Sequence, residues 1–160
     1  MKYLIDSNIF IESKNSFYAF DICPGFWNWL KSSESLQSIE KVKEELNAGE
    51  DELKAWVNSN LPDSFFLHED KSVQELYSEI AAYVMALPED YKLSGKLKFL
   101  DGADGWLIAV ARRYNFTIIT HEKYDALRRS KILIPNVAEH YQVRCINIFT
   151  ALREMNVQFN

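Results

Sequence analysis

Apolar residues along this chain are spaced first as short runs and then as helical stripes, and each change of spacing marks an element. Tyr3-Leu4-Ile5 is a short apolar run that predicts a buried strand over residues 2–5, with Ser7-Asn8 as the turn into a helix. "PGFWNWLKSS" predicts a helix after its Pro-Gly start, with Phe26, Trp29 and Leu30 on one face. "LQSI" suits a second strand and feeds "EKVKEEL", a helix whose Val42 and Leu46 point inward at an i, i+4 spacing. Gly49 breaks that helix and "DELKAWVNSN" makes another. The clearest stripe lies in "SVQELYSEIAAYVMAL", where Val73, Leu76, Tyr77, Ile80, Val84 and Leu87 share a face. Ser72 is the expected cap of that helix and Pro88 its stop.

"PEDYKLSGKLKFLDGADG" is polar and interrupted by glycine, and reads as a loop or a broken helix. "WLIAVARRYN" predicts a helix with Leu107, Ile108 and Ala111 inside, and "FTIIT" a strand rich in β-branched residues. "PNVAEHYQV" starts at Pro135 and looks helical, "RCINIF" reads as a last strand and "TALREMN" as a last helix. Strands separated by helices point to an α/β fold, a parallel sheet with helices on both faces. A chain of 160 residues without repeats or low-complexity tracts is expected to form one domain, 1–160.

Composition narrows the class. With 48% hydrophobic and 14% aromatic residues a packed core is expected throughout. No apolar run reaches the roughly 18 residues of a membrane helix, and the N-terminus enters a strand with no signal region, so a cytoplasmic protein with no membrane partner is expected. Cys23 and Cys145 are expected as buried free thiols in a reducing compartment. His68, His121 and His140 lack metal-ligand spacing, which speaks against zinc. Four tryptophans and ten phenylalanines exceed the needs of a small core. Most are expected inside, leaving room for an apolar docking surface such as a homodimer would use.

Net charge is −5, but its distribution is uneven. Between Lys92 and Lys131 nine bases stand against four acids, and in the remainder nine bases stand against nineteen acids. A basic segment enclosing its own few acids suits an enzyme that handles a polyanion through a metal, and is the expected RNA-facing surface; it reads equally as solvated helix faces that happen to be basic.

The acids themselves recur just after strands or at helix starts. Asp6 ends the first strand, Glu44 and Glu45 follow the second, Asp101 and Asp104 lead into a helix, and Glu122 and Asp125 follow "TIIT". Ligands of an open parallel sheet bind outside the carboxyl ends of its strands, so these acids converge on one edge. Carboxylates brought together repel unless a cation neutralises them, and an all-oxygen cluster suits Mg²⁺ or Mn²⁺. Taken singly, Asp6 or Asp104 reads equally as a helix cap, Glu44 and Glu45 as solvated helix residues, and Glu122 as surface charge.

On these residues the chain resembles the PIN-domain nucleases, which include the VapC-like toxins of toxin–antitoxin pairs. "YLIDSNIFIE" is similar to the family's opening strand, matching Asp6, Ser7 and Asn8. "SIEKVKEEL" resembles its Glu-bearing helix, which favours Glu45 with Glu44 as the competing register. "ADGWLIAVA" selects Asp104 over Asp101, and in "IITHEKY" Glu122 stands where the family has Asp or Asn. "DICPGFWNWL", "THE" and "VRCINIF" look closer still to a little-characterised PIN-like family of unknown function, in which Pro is usual at the position of Gly105.

The resemblance implies a three-layer α/β/α sandwich around a central parallel sheet, with an acidic pocket for one or two Mg²⁺ or Mn²⁺ ions. It implies metal-dependent cleavage of single-stranded RNA and a cognate antitoxin as partner. Asp6 and Asp104 would be the main metal ligands, with Glu45 and Glu122 completing the shell. Ser7 and Asn8 would orient Asp6, and His121 would contact substrate, although a neutral histidine at a strand end is more often structural. Two rival readings are a non-catalytic PIN-like interaction domain and an aspartyl-phosphate α/β protein. The second normally has another acid beside its aspartate, which "IDSN" lacks.

Overall fold

The computed structural model describes residues 1–49 and 51–159; residues 50 and 160 of the expected domain lie outside them. Five short strands form one all-parallel sheet: β1 Tyr3–Ile5, β2 Leu36–Ile39, β3 Phe66–Leu67, β4 Thr117–Ile119 and β5 Cys145–Ile146. The spatial order is β3-β2-β1-β4-β5. β1 pairs with β2 through Tyr3↔Leu36 and with β4 through Tyr3↔Thr117 to Ile5↔Ile119. The chain therefore builds outward on one side of β1, then crosses to the other side at β4. That reversal opens a crevice between the carboxyl ends of β1 and β4.

Nine α-helices are seen among the described residues: α1 Ser7–Glu12, α2 Pro24–Ser32, α3 Glu40–Asn47, α4 Asp51–Asn60, α5 Lys71–Met85, α6 Leu93–Asp101, α7 Asp104–Tyr114, α8 Ile134–His140 and α9 Ile148–Glu154. α1, α3 and α4 pack together, as do α5, α6, α7 and α8. Parallel crossovers are right-handed, so the change of direction at β1 puts these two groups on opposite faces. The result is a three-layer α/β/α sandwich. Leu4, Ile5, Ile118 and Ile119 are completely buried, as a sheet covered on both faces requires.

Several local expectations change. In α2 the buried residues are Phe26, Trp27 and Leu30, while Trp29 is half-exposed, because Trp27 packs against Phe20 and Trp56 and donates its indole N–H to Tyr18 O. The α5 cap is Asp70, which accepts the Val73 N–H at 2.9 Å; Ser72 instead donates to Asp70. β3 has no expected counterpart, since "FFL" has no alternation and is made a strand by pairing with Ser38 and Ile39. The last strand is only Cys145–Ile146, with Asn147 capping α9 through the Thr150 N–H. Both cysteines are half-buried free thiols.

The largest change is α6, a helix where a loop or broken helix was expected. Its Gly95 sits so close to the 130–131 backbone that a Cβ would lie 2.8 Å from Ser130 O. Lys96 is buried, with its ammonium donating to Leu87 O at 2.6 Å and Met85 O at 3.2 Å. Within "YKLSGKLKF" Gly95 and Lys96 thus serve tertiary contacts, while Lys92, Ser94 and Lys98 face solvent.

Candidate functional site

The edge where β1 and β4 end carries a cleft of about 420 Å³. Asp6, Ser7, Asn8, Glu45, Asp104 and Glu122 all line it, with Lys98, Asp101 and Lys131 beside them. All four acids expected to act together are therefore brought to one place, from four separate segments. Asp6 follows β1, Glu45 stands on α3, Asp104 opens α7 and Glu122 follows β4. Asp125 is not among the lining residues; its carboxylate accepts the Leu127 N–H within its own loop.

Asp6 is 2% exposed. Thr120, itself buried, donates its hydroxyl to Asp6 Oδ2 at 3.0 Å and accepts the Glu122 N–H at 3.2 Å. Ser7 donates mainly to Glu45 Oε2, at 2.7 Å, and sits 3.4 Å from Asp6 Oδ1. Glu45 Oε1 accepts the Ala103 N–H at 2.8 Å, which locks α3 to the start of α7. Glu122 accepts the Ile134 N–H at 2.8 Å and meets Lys131 Nζ at 3.3 Å. The α3 register is thereby settled in geometry: Glu45 faces the cleft, whereas Glu44 is exposed and pairs with Lys41 at 3.8 Å.

Neither aspartate acts as a side-chain helix cap. Asp6 occupies the N-cap position of α1 but makes no side-chain capping bond, and the N-cap of α7 is Ala103, one residue before Asp104. Both acids instead stand under electrostatic load. Burial, then the charge of Glu122, pushes Asp6 up to about 7, although the Thr120 hydrogen bond acts the other way. Burial, then Asp6, Glu122 and Glu45, pushes Asp104 up to about 8, with Lys131 opposing. The cleft concentrates negative charge that its few cations leave uncompensated. Cys145 shares that field: burial first, then Glu122 and Asp6, push its thiol up to about 12.

The donor set suits a hard divalent cation, being oxygen-only and flanked by buried carboxylates whose ionisation is costly without one. Among the described residues no three Asp, Glu, His or Cys side chains form a ready-made ligand cluster. Glu45 and Glu122 already hold main-chain N–H groups, so Asp6 and Asp104 are the inner pair and the two glutamates stand at the wall.

Two residues depart from expectation. His121 does not line the cleft; it packs on Phe17 with ring centroids 5.4 Å apart and lies 3.6 Å from Glu12. Burial holds its imidazole below the usual value, with Glu12 opposing. Thr120, the residue that directly holds Asp6, was not singled out from sequence. Its signal was present, as the polar residue closing the apolar strand "TII" beside the strand that ends at Asp6.

The basic segment likewise does not form one surface. Lys98 and Lys131 line the cleft, Lys96 is buried, and Arg129 pairs with Asp90 at 2.9 Å. Arg112 and Arg113 sit in the last turn of α7, the end opposite Asp104.

Fold and site together define an α/β/α protein with an acidic cleft at the switch point of its sheet. The chain belongs to the family described as a domain of unknown function, DUF4411, which matches residues 3–159. No curated protein matches it. No helix among the described residues is long and apolar enough to cross a membrane.

Proposed function

We propose that this chain is a PIN-like endoribonuclease that cuts single-stranded RNA with Mg²⁺ or Mn²⁺. The observation that carries the reading is the inner aspartate pair. Asp6 and Asp104 are drawn into one cleft and raised to about 7 and 8, a cost that a bound cation would offset. When bound, the cation supplies the Lewis acidity that activates water and stabilises charge developing on a phosphodiester. Asp6 and Asp104 would hold it. Thr120 keeps Asp6 in one orientation, Ser7 and the Ala103 N–H keep Glu45 against the wall, and Lys98 and Lys131 offer positive charge to the RNA backbone.

A purely structural reading accounts for Glu45 and Glu122, which both hold backbone N–H groups. It leaves Asp104 without a purpose, because holding a half-buried acid among three others is destabilising unless function requires it. A non-catalytic domain is therefore the second reading.

The test is cleavage of single-stranded RNA in EDTA and in Mg²⁺ or Mn²⁺. Cleavage only with metal is expected, and equal cleavage in both overturns the metal mechanism. A toxin role with a cognate antitoxin, in the cytoplasm, belongs to the same reading. Expression alone should then slow growth, and a co-encoded partner should relieve it. Harmless overexpression of an RNA-cutting protein removes the toxin role and leaves the nuclease.

A further inference from the structure

A second cleft, of about 390 Å³, opens beside the acidic one, a volume suited to a small organic group. Lys131 and Ile132 line both, so the two are neighbours along one path. The walls of the second set three tyrosines and His140 among aliphatic side chains, with Glu139 at one side. Tyr83 stacks on the exposed His140 with centroids 4.0 Å apart and planes 13° from parallel. Tyr91 carries the Arg129 guanidinium 4.4 Å from its ring centre. Tyr124 is 55% exposed, an unusual position for an aromatic ring in a chain with so much core to fill. Its loop is nonetheless held, because the Asp125 N–H donates to Asn136 Oδ1 at 3.0 Å and Asn136 Nδ2 donates to Asp125 O at 2.8 Å. The Tyr83 phenol is held above its usual value by burial first, then by Tyr91 and Tyr124.

We propose that this second cleft is a nucleobase subsite, which stacks a base of the strand on Tyr124 and His140 while the adjoining phosphate reaches the acidic cleft past Lys131. The inference rests on the nuclease reading for the identity of the strand, and deepens it. Rings of this kind stack any base, because every base has a π-face, so the subsite selects single strands over duplexes rather than one sequence over another. Lys131, 40% exposed at its side chain and shared by the two clefts, stands where a phosphate linking them would pass.

The test is binding of a cleavage-resistant, ribose-methylated RNA strand about eight nucleotides long, in Mg²⁺, carrying a fluorescent purine analogue that dims on stacking. Dimming is expected with the wild type, and none with the same strand in a duplex. Tyr124→Ala and His140→Ala should each weaken binding by about fivefold to a hundredfold, and Tyr124→Phe should bind like wild type. A strand lacking its bases should bind weakly and be indifferent to these variants. Tyr124 is exposed, so Tyr124→Ala should melt like wild type, whereas His140→Ala gives up its stack on Tyr83 and should melt slightly lower; binding is measured well below both melts. Unchanged affinity in both alanine variants, or dimming that persists in them, overturns the subsite. If the wild type cuts RNA while the variants bind normally, the subsite fails and the nuclease stands. If strand binding needs both rings but no RNA is ever cut, the subsite stands and the nuclease fails.

Discussion

Thr120 donates its hydroxyl to Asp6 Oδ2 at 3.0 Å, joining the carboxyl end of β4 to that of β1 where the strand order reverses. The bond lowers the cost of ionising Asp6 and, through the Glu122 N–H, orients the chain leaving β4. Thr120→Val keeps the shape and removes both partners. Leaving a buried acceptor and a donor unmatched should cost about 1–3 kcal/mol of stability. Asp6 should titrate still higher, so the acid limb of the cleavage pH profile should move to higher pH. An unchanged melt and an unchanged profile would show that this bond does not hold Asp6.

Removing one charge from the inner pair should relieve repulsion. Asp104→Asn and Asp6→Asn are expected to be as stable as the metal-free wild type or more so, while losing cleavage. Mn²⁺ at a hundredfold excess over its dissociation constant should stabilise the wild type by about 2.7 kcal/mol and either variant by much less. Melting curves with EDTA and with Mn²⁺ read this directly. A wild-type melt unmoved by saturating Mn²⁺ would mean that Asp6 faces no metal.

The raised acids also set a pH dependence for the metal-free protein. Below 3.8, the ordinary aspartate value, both are protonated folded and unfolded, and their contribution is fully present. As pH rises the unfolded chain ionises first, and stability is lost until Asp6 titrates near 7 and Asp104 near 8. His121, lowered by burial, acts in the opposite direction only below its ordinary 6.5. Denaturant midpoints should therefore fall from pH 6.5 to about 8 in EDTA, and saturating Mn²⁺ should flatten that slope. A midpoint that rises over this interval contradicts a buried acid pair.

Glu45 and Glu44 should separate cleanly. Glu45 accepts from Ser7 on one oxygen and from Ala103 on the other, so a side chain without either oxygen would leave a backbone N–H and a hydroxyl unmatched. Glu45→Ala should destabilise by about 1–3 kcal/mol and depress cleavage. Glu44→Ala, on the exposed side of the same helix, should stay within about 0.5 kcal/mol of wild type. Equal effects in the two would mean that the cleft does not depend on Glu45.

Lys98 is exposed at the cleft, whereas Arg112 and Arg113 lie at the far end of α7, roughly 12 Å along its axis from Asp104. Lys98→Ala should weaken RNA binding and reduce the slope of log affinity against log salt by about 0.7, as for one lost phosphate contact on a single strand. Arg112→Ala combined with Arg113→Ala should leave both unchanged. The reverse result would put the RNA path on the other end of the helix.

Local pattern was enough to read four of the five strands, most of the helices, and the recurrence of acids after strands or at helix starts, while the family resemblance picked Asp6, Glu45, Asp104 and Glu122 from among them. Tyr3-Leu4-Ile5 and "TII" declare themselves because a parallel strand buried on both faces must be apolar along its whole length. Asp6 then stands out because a buried run that ends in a carboxylate leads to a strand end where ligands bind. What local pattern could not carry was whatever depends on a distant neighbour. The polar "YKLSGKLKF" is held as a helix where Gly95 fits against the distant Ser130 and Lys96 finds two carbonyls at the end of the preceding helix and just past it. Glu44 and Glu45 are alike in sequence, and only the approach of α3 to Ser7 and Ala103 distinguishes them. Thr120 meets Asp6 across 114 positions of chain, and the Asp104 carboxyl is pushed up by burial and then by acids from three other segments. Periodicity and burial are local averages that a sequence records directly, whereas a hydrogen bond or a shifted carboxyl depends on ångström distances between segments that only the folded sheet brings together.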